Sequence, residues 1–238
     1  MWVKICGNTS FEDAEHAIHS GADAVGFVFA AESKRCVTVE QVADITAHLP
    51  PTAEKVGVFV EQSAAEIADI VLAAGLTGVQ MHIPNLETAA DYAARLREKL
   101  GDRRQPLRLV QVLHFRAAAL DDFAESVAQL GRNHAIDAVL IDSRIGDAVG
   151  GTGIAYDWLA ARKSLLRAAP HPRLIVAGGL TPDNVREAIQ TLAPWGVDVA
   201  SGVETAAGKK DPLKVESFIS SARQAGAEVR KTASVAEA

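Results

Sequence analysis

A cysteine and three glycine-rich turns are the residues of this sequence best suited to chemistry. Cys6 ends the apolar segment Val3-Lys4-Ile5-Cys6-Gly7, and a cysteine in its thiolate form can act as a base or a nucleophile. Three turns of small residues follow later apolar segments: Gly150-Gly151-Thr152-Gly153, Ala177-Gly178-Gly179-Leu180 and Ser201-Gly202-Val203-Glu204. Main-chain amides in such turns, backed by helix N-termini, can bind a phosphate without a cationic side chain. A base and several phosphate turns together favour an enzyme that acts on a sugar phosphate.

Three charged residues also stand at positions where they could serve a site. Asp142 follows the apolar run 138–141, and a partly desolvated carboxyl has a raised pKa that suits a general acid, although an Asp there could also cap a turn. Asp198 lies within an apolar strand pattern, so its carboxylate needs a partner, either Lys4 or a ligand hydroxyl. Arg35 ends a polar loop segment, where it could be solvated or could bind a carboxylate.

The elements that would position these residues alternate along the chain. Apolar strand patterns occupy residues 2–6, 24–29, 55–60, 78–81, 107–113, 138–141, 173–177 and 197–199. Amphipathic helical patterns occupy residues 11–19, 39–48, 64–74, 88–100, 120–130, 156–166, 183–192 and 212–223. Strict alternation predicts an α/β protein with one (β/α)8 TIM barrel. The open, doubly wound sheet is the alternative, but Cys6-Gly7-Asn8-Thr9-Ser10 lacks the glycines of a dinucleotide fingerprint.

In such a barrel the active site lies at the carboxyl ends of the strands. The residues expected to meet there are Cys6, Arg35, His82, His114, Asp142 and the turns at 178–179 and 201–202. Cys36 lies in a loop and has no such context. The sequence therefore predicts one mouth that holds a thiol, a carboxyl, an arginine and phosphate-binding turns.

Composition limits the other classes of function. The 238 residues are 48% hydrophobic, enough for one large core, and the formal net charge is −6 with no block of Lys or Arg. A broad nucleic-acid surface is therefore not expected. We expect neither a signal peptide nor a membrane span, and two cysteines make no disulfide framework, which favours the cytoplasm. We expect a barrel domain over residues 1–224 and a disordered tail over 225–238.

From residue 3 to about residue 223 the chain resembles the phosphoribosylanthranilate isomerases of tryptophan biosynthesis. The matching segments, which occur in the family's order, are Val3-Lys4-Ile5-Cys6-Gly7, Asp23-Ala24-Val25-Gly26-Phe27-Val28-Phe29, Ser33-Lys34-Arg35, Val56-Gly57-Val58-Phe59-Val60, Gly150-Gly151-Thr152-Gly153, Ala177-Gly178-Gly179-Leu180-Thr181-Pro182-Asp183-Asn184-Val185, Gly196-Val197-Asp198-Val199-Ala200-Ser201-Gly202-Val203-Glu204 and Gly208-Lys209-Lys210-Asp211. The resemblance implies a TIM-barrel enzyme that carries out an Amadori rearrangement of N-(5′-phosphoribosyl)anthranilate without metal or cofactor.

The resemblance also implies roles for individual residues. Asp142 would be the general acid that opens the ribose ring, and Cys6, as thiolate, would remove the C2 proton. Arg35 would bind the anthranilate carboxylate and Asp198 the sugar. The substrate-binding set would further contain His82, Gly151 and Gly153, and the phosphate-binding set would be Gly178, Gly179, Ser201 and Gly202. The implied partner is a small phosphosugar, with no nucleic acid or membrane, and the implied assembly is a monomer or a homodimer.

The loop after the fourth strand departs from the family. The family usually reads Gln-Leu-His-Gly there, whereas this chain reads Gln80-Met81-His82-Ile83-Pro84-Asn85, so the loop is expected to run differently. One alternative is therefore a dual-substrate isomerase that also acts on the histidine-pathway aminoimidazole ribonucleotide, although related enzymes carry a carboxylate where Cys6 stands. Indole-glycerol-phosphate synthase would need a further catalytic lysine and a glutamate. A non-catalytic or repurposed phosphosugar-binding paralogue would have no need of both Cys6 and Asp142.

Overall fold

The computed structural model describes residues 1–101, 107–115, 119–143, 157–168 and 172–236. Within them, eight parallel strands form a closed barrel in which each strand pairs with its neighbours in sequence and β1 pairs with β8. The strands are β1 (Trp2–Ile5), β2 (Ala24–Val28), β3 (Glu54–Phe59), β4 (Gly78–Met81), β5 (Arg108–Phe115), β6 (Ala138–Ser143), β7 (Arg173–Val176) and β8 (Gly196–Val199). The predicted TIM barrel is therefore confirmed.

A helix follows each strand in the described part of the chain. The helices are α1 (Phe11–His19), α2 (Val39–His48), α3 (Ala64–Ala73), α4 (Leu86–Leu100), α5 (Leu120–Gly131), α6 (Trp158–Leu165), α7 (Val185–Leu192) and α8 (Pro212–Ala236). Short polar side chains begin several of them; the hydroxyls of Thr38 and Ser63 cap α2 and α3, and each pairs with a Gln or Glu three residues later in a capping box. These local signals set where each helix starts.

The barrel has two hydrophobic regions because successive side chains of a strand point to opposite faces. One set, which includes Val3, Val25 and Val79, packs between the strands and the surrounding helices. The other set fills the barrel interior and includes Trp2, Val56, Val110, Ala138 and Ile175. The even-numbered residues of β1 therefore point inward, which places Lys4 and Cys6 above Trp2 on the way to the carboxyl end.

Three local features differ from the sequence-based expectation. Strand β5 continues through His114 to Phe115, so His114 lies within the strand and not after it. Helix α4 begins at Leu86 because the Asn85 side chain accepts a hydrogen bond from the main-chain N–H of Thr88. After β8 the chain forms a short 3₁₀ helix (Ser201–Val203) and then an antiparallel hairpin of β9 (Glu204–Ala206) and β10 (Lys209–Lys210).

Helix α8 extends beyond the expected domain boundary at residue 224. It continues to Ala236, and Ala225 is fully buried. A Cβ atom added at Gly226 would lie 2.6 Å from the Met1 Cβ atom, so the helix packs directly on the N-terminus. Ala222, Ala225 and the core-packed Val229 are spaced by three and four residues and share one helical face. That face anchors residues for which the sequence predicts a disordered tail.

In the part of the chain that the structure describes, no helix is both long enough and apolar enough to cross a membrane.

Candidate active site

A cleft opens at the carboxyl ends of the strands. Its lining includes Cys6, Arg35, His82, Asp142, Asp198 and Ser201, which come from five different strands or the loops that follow them. The main chain at Gly178 and Gly179 lines the same cleft. The structure therefore brings most of the predicted site residues to one mouth.

Cys6 stands directly after β1 and is almost completely buried. Its main-chain N–H donates to the carbonyl of Val199 at 2.8 Å, and the next N–H, that of Gly7, donates to the carbonyl of Gly26 at 3.0 Å. Both neighbouring strands therefore hold the residue in place. Burial raises the pKa of the Cys6 thiol, and the positive charge of Lys4 opposes that effect only in part.

Asp198 is paired with Lys4 inside the barrel. The Lys4 Nζ and the Asp198 Oδ1 atoms are 2.9 Å apart, and the two residues are also opposite each other in the β1–β8 register. Burial would lower the pKa of Lys4, but Asp198 and Cys6 outweigh it and raise that pKa. Of the two partners considered for Asp198, Lys4 is thus the one present in the structure, and Asp198 still lines the cleft.

Arg35 is held by a buried carboxylate. Its Nε and Nη2 atoms donate to the two carboxylate oxygens of Glu204 at 2.8 and 2.6 Å. The Lys210 ammonium lies 2.9 Å from the Glu204 Oε1 atom and donates to the main-chain carbonyl of Cys6 at 2.5 Å. This group of three charged residues, here called the Arg35–Glu204–Lys210 triad, connects the loop after β2, the β9–β10 hairpin and the end of β1.

The triad also shifts the pKa values of its members. Burial favours the neutral form of Glu204, but Arg35 and Lys210 outweigh it and lower the pKa of its carboxyl. Burial dominates for Lys210 and lowers the pKa of its ammonium, although Glu204 acts in the opposite direction. Glu204 and Lys210 were not singled out from the sequence. The contact of Glu204 with Arg35 spans 169 residues and appears only in the fold.

Asp142 lies on β6 beside a polar side chain of the neighbouring strand β5. It is in register with His114 of β5, and both residues have the interior parity of their strands. The His114 ring centroid is 5.9 Å from that of His82, which follows β4. The amide nitrogen of Gln80, another cleft residue, lies 3.3 Å from the His82 Nε2 atom. The wall of the cleft across from Cys6 is therefore polar and carries the predicted acid.

The turn after β7 has the backbone form of an anion site. Gly178 and Gly179 have φ angles of 81° and 66°, which are strained for residues with a Cβ atom. The Asn184 side chain holds the turn, because its amide donates to the carbonyl of Gly179 and its oxygen accepts from the N–H of Thr181. Helix α7 starts just after it, so its N-terminus points toward the same region.

The turn after β8 packs tightly against the turn after β7. Gly202 lies in the 3₁₀ helix, and a Cβ atom added there would fall on the carbonyl oxygen of Leu180. The two candidate phosphate turns are thus in direct contact, with Ser201 in the cleft beside them. The third turn, with Gly151 and Gly153, lies outside the described residues.

The segment after β4 whose sequence differs from the family is short. The main-chain N–H of His82 donates to the carbonyl of Phe59, and the buried Gln111 side chain donates to the carbonyl of Ile83 at 2.8 Å. Asn85 then caps α4. The different sequence is accommodated by this side-chain support, and His82 still reaches the cleft. Among the described residues, no group of three or more His, Cys, Asp or Glu side chains could hold a metal ion.

The fold and the cleft are those of a (β/α)8-barrel enzyme that handles a phosphorylated small molecule by proton transfer. Residues 3–221 match the family model for N-(5′-phosphoribosyl)anthranilate isomerase. The chain belongs to this family, and the resemblance noted in the sequence is confirmed.

Individual relatives agree with the family match. The chain is 42% identical to an N-(5′-phosphoribosyl)anthranilate isomerase from Geobacter sulfurreducens, over 93% of this chain and 98% of the relative. It is 40% identical to one from Pseudomonas fluorescens, over 92% of this chain and 97% of the relative.

Solved structures of relatives have the same fold. The phosphoribosylanthranilate isomerase from Thermotoga maritima is 32% identical, with a TM-score of 0.78 over 94% of this chain and 99% of that one. Another structure, 31% identical with a TM-score of 0.75 and the same coverage, holds reduced 1-(o-carboxyphenylamino)-1-deoxyribulose 5-phosphate.

Proposed function

We propose that this chain catalyses the Amadori rearrangement of N-(5′-phosphoribosyl)anthranilate to 1-(2-carboxyphenylamino)-1-deoxyribulose 5-phosphate, a step of tryptophan biosynthesis. The observation that carries the proposal is the common cleft of Cys6 and Asp142, beside the two glycine turns, in a member of this family. An aldose–ketose rearrangement needs one group that gives a proton and one that takes a proton. Cys6 directly follows β1 and Asp142 lies on β6, so a substrate bound in the cleft would lie between them.

Asp142 is the proposed general acid. It protonates the ribose ring oxygen, the bond between that oxygen and C1 breaks, and the anthranilate nitrogen becomes part of a C1–N iminium ion. The carboxyl is half-buried at the mouth, where it can reach substrate and can exchange protons with solvent. The iminium charge then makes the proton on C2 more acidic.

Cys6 is the proposed general base. Its thiolate takes the proton from C2, and the electron pair moves toward the iminium nitrogen to give an enolamine. The enolamine tautomerises to the ketone product. Because Cys6 is held by main-chain hydrogen bonds to both neighbouring strands, the thiol keeps a fixed position relative to the sugar.

The binding roles of the described residues follow the layout of the cleft, and those of Gly151 and Gly153 follow from the family. We assign the phosphate to Gly178, Gly179, Ser201 and Gly202, the sugar hydroxyls to Asp198, and further contacts to His82, Gly151 and Gly153. Arg35 is assigned to the anthranilate carboxylate. Two of its nitrogens donate to Glu204, so Nη1 is the nitrogen assigned to the substrate. Local backbone dipoles bind the phosphate, which is compatible with a net charge of −6.

The test is the loss of anthranilate-type fluorescence when freshly made substrate meets the purified protein. Wild type should turn over, and Cys6→Ser and Asp142→Asn should each lose about 10²–10⁴-fold in kcat. Both variants should keep their affinity for the reduced product analogue. Cys36→Ser is the matched control, because its thiol is exposed and hydrogen-bonds only weakly with a neighbouring carbonyl. Wild-type rates in Cys6→Ser would remove Cys6 from the mechanism, and an inactive wild type would leave a phosphosugar-binding paralogue.

We further propose that the protein acts in the cytoplasm as a monomer or a homodimer, without nucleic acid. One relative, from Thermotoga maritima, is described as a dimeric enzyme from which monomers were generated. Sedimentation equilibrium separates the two assemblies, and a larger species would contradict both.

A further inference from the structure

Lys4 lies on β1, and Cys6, two residues further on and directly after the strand, points to the same side. The Lys4 side chain is 1% exposed, so its ammonium is withdrawn from water at the base of the cleft. A buried ammonium is costly unless nearby groups compensate its charge. The groups around the Lys4 ammonium must therefore compensate its charge.

Gly26 of β2 shows how close the two groups are. A Cβ atom added at Gly26 would lie 2.7 Å from the Cys6 Sγ atom and 3.2 Å from the Lys4 Nζ atom. Both atoms thus border the same small space, and they are within about 6 Å of each other. At that separation an ammonium acts strongly on a neighbouring charge inside a protein.

The Lys4 ammonium has two acceptors beside it. It forms an ion pair with Asp198 at 2.9 Å. The Cys6 thiol is its second hydrogen-bonding partner. An ammonium has three N–H donors, so Lys4 can serve the Asp198 carboxylate and the Cys6 sulfur together.

The charges around Cys6 leave one positive charge in excess. The cations that face it are Lys4 from β1, Lys210 from β10 and Arg35 from the loop after β2. The carboxylates among them are Asp198 and Glu204. Three cations and two carboxylates give a balance of +1, which a thiolate at Cys6 would neutralise. Asp142 and His82 line the far side of the cleft.

We propose that Lys4 is a positioning residue that stabilises the thiolate of Cys6 and so makes this thiol usable as a base. This inference rests on the proposed role of Cys6. The pKa directions agree with it: burial raises the pKa of Cys6, and Lys4 is the largest influence in the opposite direction. In turn, Cys6 is one of the two residues that raise the pKa of Lys4.

The test measures the ionisation of Cys6 without any substrate. In a Cys36→Ser background Cys6 is the only thiol, because the sequence holds two cysteines. The midpoint of its ionisation is read from the pH dependence of iodoacetamide alkylation and from the ultraviolet absorbance of the thiolate. The second readout does not depend on access of a reagent to a buried sulfur.

Two variants should move the midpoint in opposite directions. Lys4→Met should raise it by about one pH unit or more, which is tenfold less thiolate at a fixed pH below the midpoint. Asp198→Asn should lower it, because that change removes a negative charge that opposes the thiolate. Opposite signs separate an electrostatic role from a structural one, since general loosening of the barrel would move both variants in one direction. Asp198→Asn also keeps the test open if Lys4→Met does not fold.

Lys55→Met is the matched control. Lys55 is also a buried lysine, on β3, but its Nζ atom interacts with the carbonyl of Pro50 at 3.4 Å, away from Cys6. It should leave the midpoint unchanged. Unmoved midpoints in both Lys4→Met and Asp198→Asn, or shifts of the same sign, would overturn the inference. Midpoints that shift as expected while Cys6→Ser retains turnover would instead refute the role of Cys6 and leave the Lys4 effect intact.

Discussion

The buried Arg35–Glu204–Lys210 triad gives a prediction whose magnitude can be worked from the structure. The side chains of Arg35, Glu204 and Lys210 are 16%, 5% and 1% exposed, and Glu204 is the carboxylate that both cations share. Glu204→Gln keeps the size of the side chain and one hydrogen-bond acceptor but removes the charge. The change leaves two buried cations without their counter-charge.

Removing one partner of a buried ion pair costs about 3–5 kcal/mol. We expect Glu204→Gln to reduce the free energy of unfolding by about 3 kcal/mol, the lower end, because the amide oxygen can still accept one hydrogen bond and Arg35 retains some contact with water. The pKa of Glu204 is lowered in the folded state, so its contribution is present above its unfolded value of about 4.3 and is lost as pH falls through the folded pKa. The difference between wild type and variant should therefore shrink in acid.

Urea unfolding followed by circular dichroism measures this difference. A loss of about 3 kcal/mol corresponds to a decrease of about 1 M or more in the urea midpoint. Glu125→Gln is the control, because it makes the same chemical change at an exposed pair with Arg132, at 3.0 Å, and should cost less than about 1 kcal/mol. A Glu204→Gln variant as stable as Glu125→Gln, or a difference that grows in acid, would refute the reasoning.

Three further outcomes concern the cleft and can be measured by steady-state kinetics. Gly202→Ala should raise KM about tenfold or more, since the added Cβ would fall on the Leu180 carbonyl oxygen and displace a phosphate turn. An unchanged KM would remove this turn from the phosphate site. Gly26→Ala should lower kcat by about 10²-fold, since the methyl group would clash with the Cys6 Sγ atom. A kcat within about twofold of wild type would contradict the proposed position of the base. kcat/KM should stay level past the ordinary thiol pKa of about 8.5 and fall only at higher pH, because the product of thiolate base and protonated acid is constant between a carboxyl pKa and the thiol pKa, which burial raises for Cys6. A fall that begins well below about pH 8.5 would contradict Cys6 as the base.

The barrel could be predicted from the sequence because its signals are local. Apolar runs of three to seven residues mark the strands, and side-chain caps such as Ser10 and Thr38 mark the starts of several helices. The positions of Cys6 and Asp142 then follow from the rule that active sites lie at the carboxyl ends of barrel strands. The pair Lys4–Asp198 was also among the alternatives, since a buried carboxylate needs a partner.

The remaining features depend on contacts that no local pattern contains. Arg35 contacts Glu204 because the loop after β2 and the hairpin after β8 meet above β1, although they are distant in sequence. His114 is polar, which suggests the end of a strand, yet β5 continues through it because a polar side chain is tolerated where the barrel opens to the cleft. Helix α8 continues because Met1 lies against Gly226, a contact between the two ends of the chain.

The β1–β8 pair shows why the same strands can provide both stability and chemistry. Trp2 is opposite Gly196 at the bottom, and the indole fills the space that a Cβ atom at Gly196 would need. In the next layer, Lys4 is opposite Asp198 and the two charges compensate each other. Cys6 ends the series at the cleft. Because each layer is complementary across the two strands, the apolar base fixes the register that holds the ion pair beside the thiol. A one-residue slip of β1 would turn all three side chains outward, so the packing of Trp2 is itself a condition for placing the base.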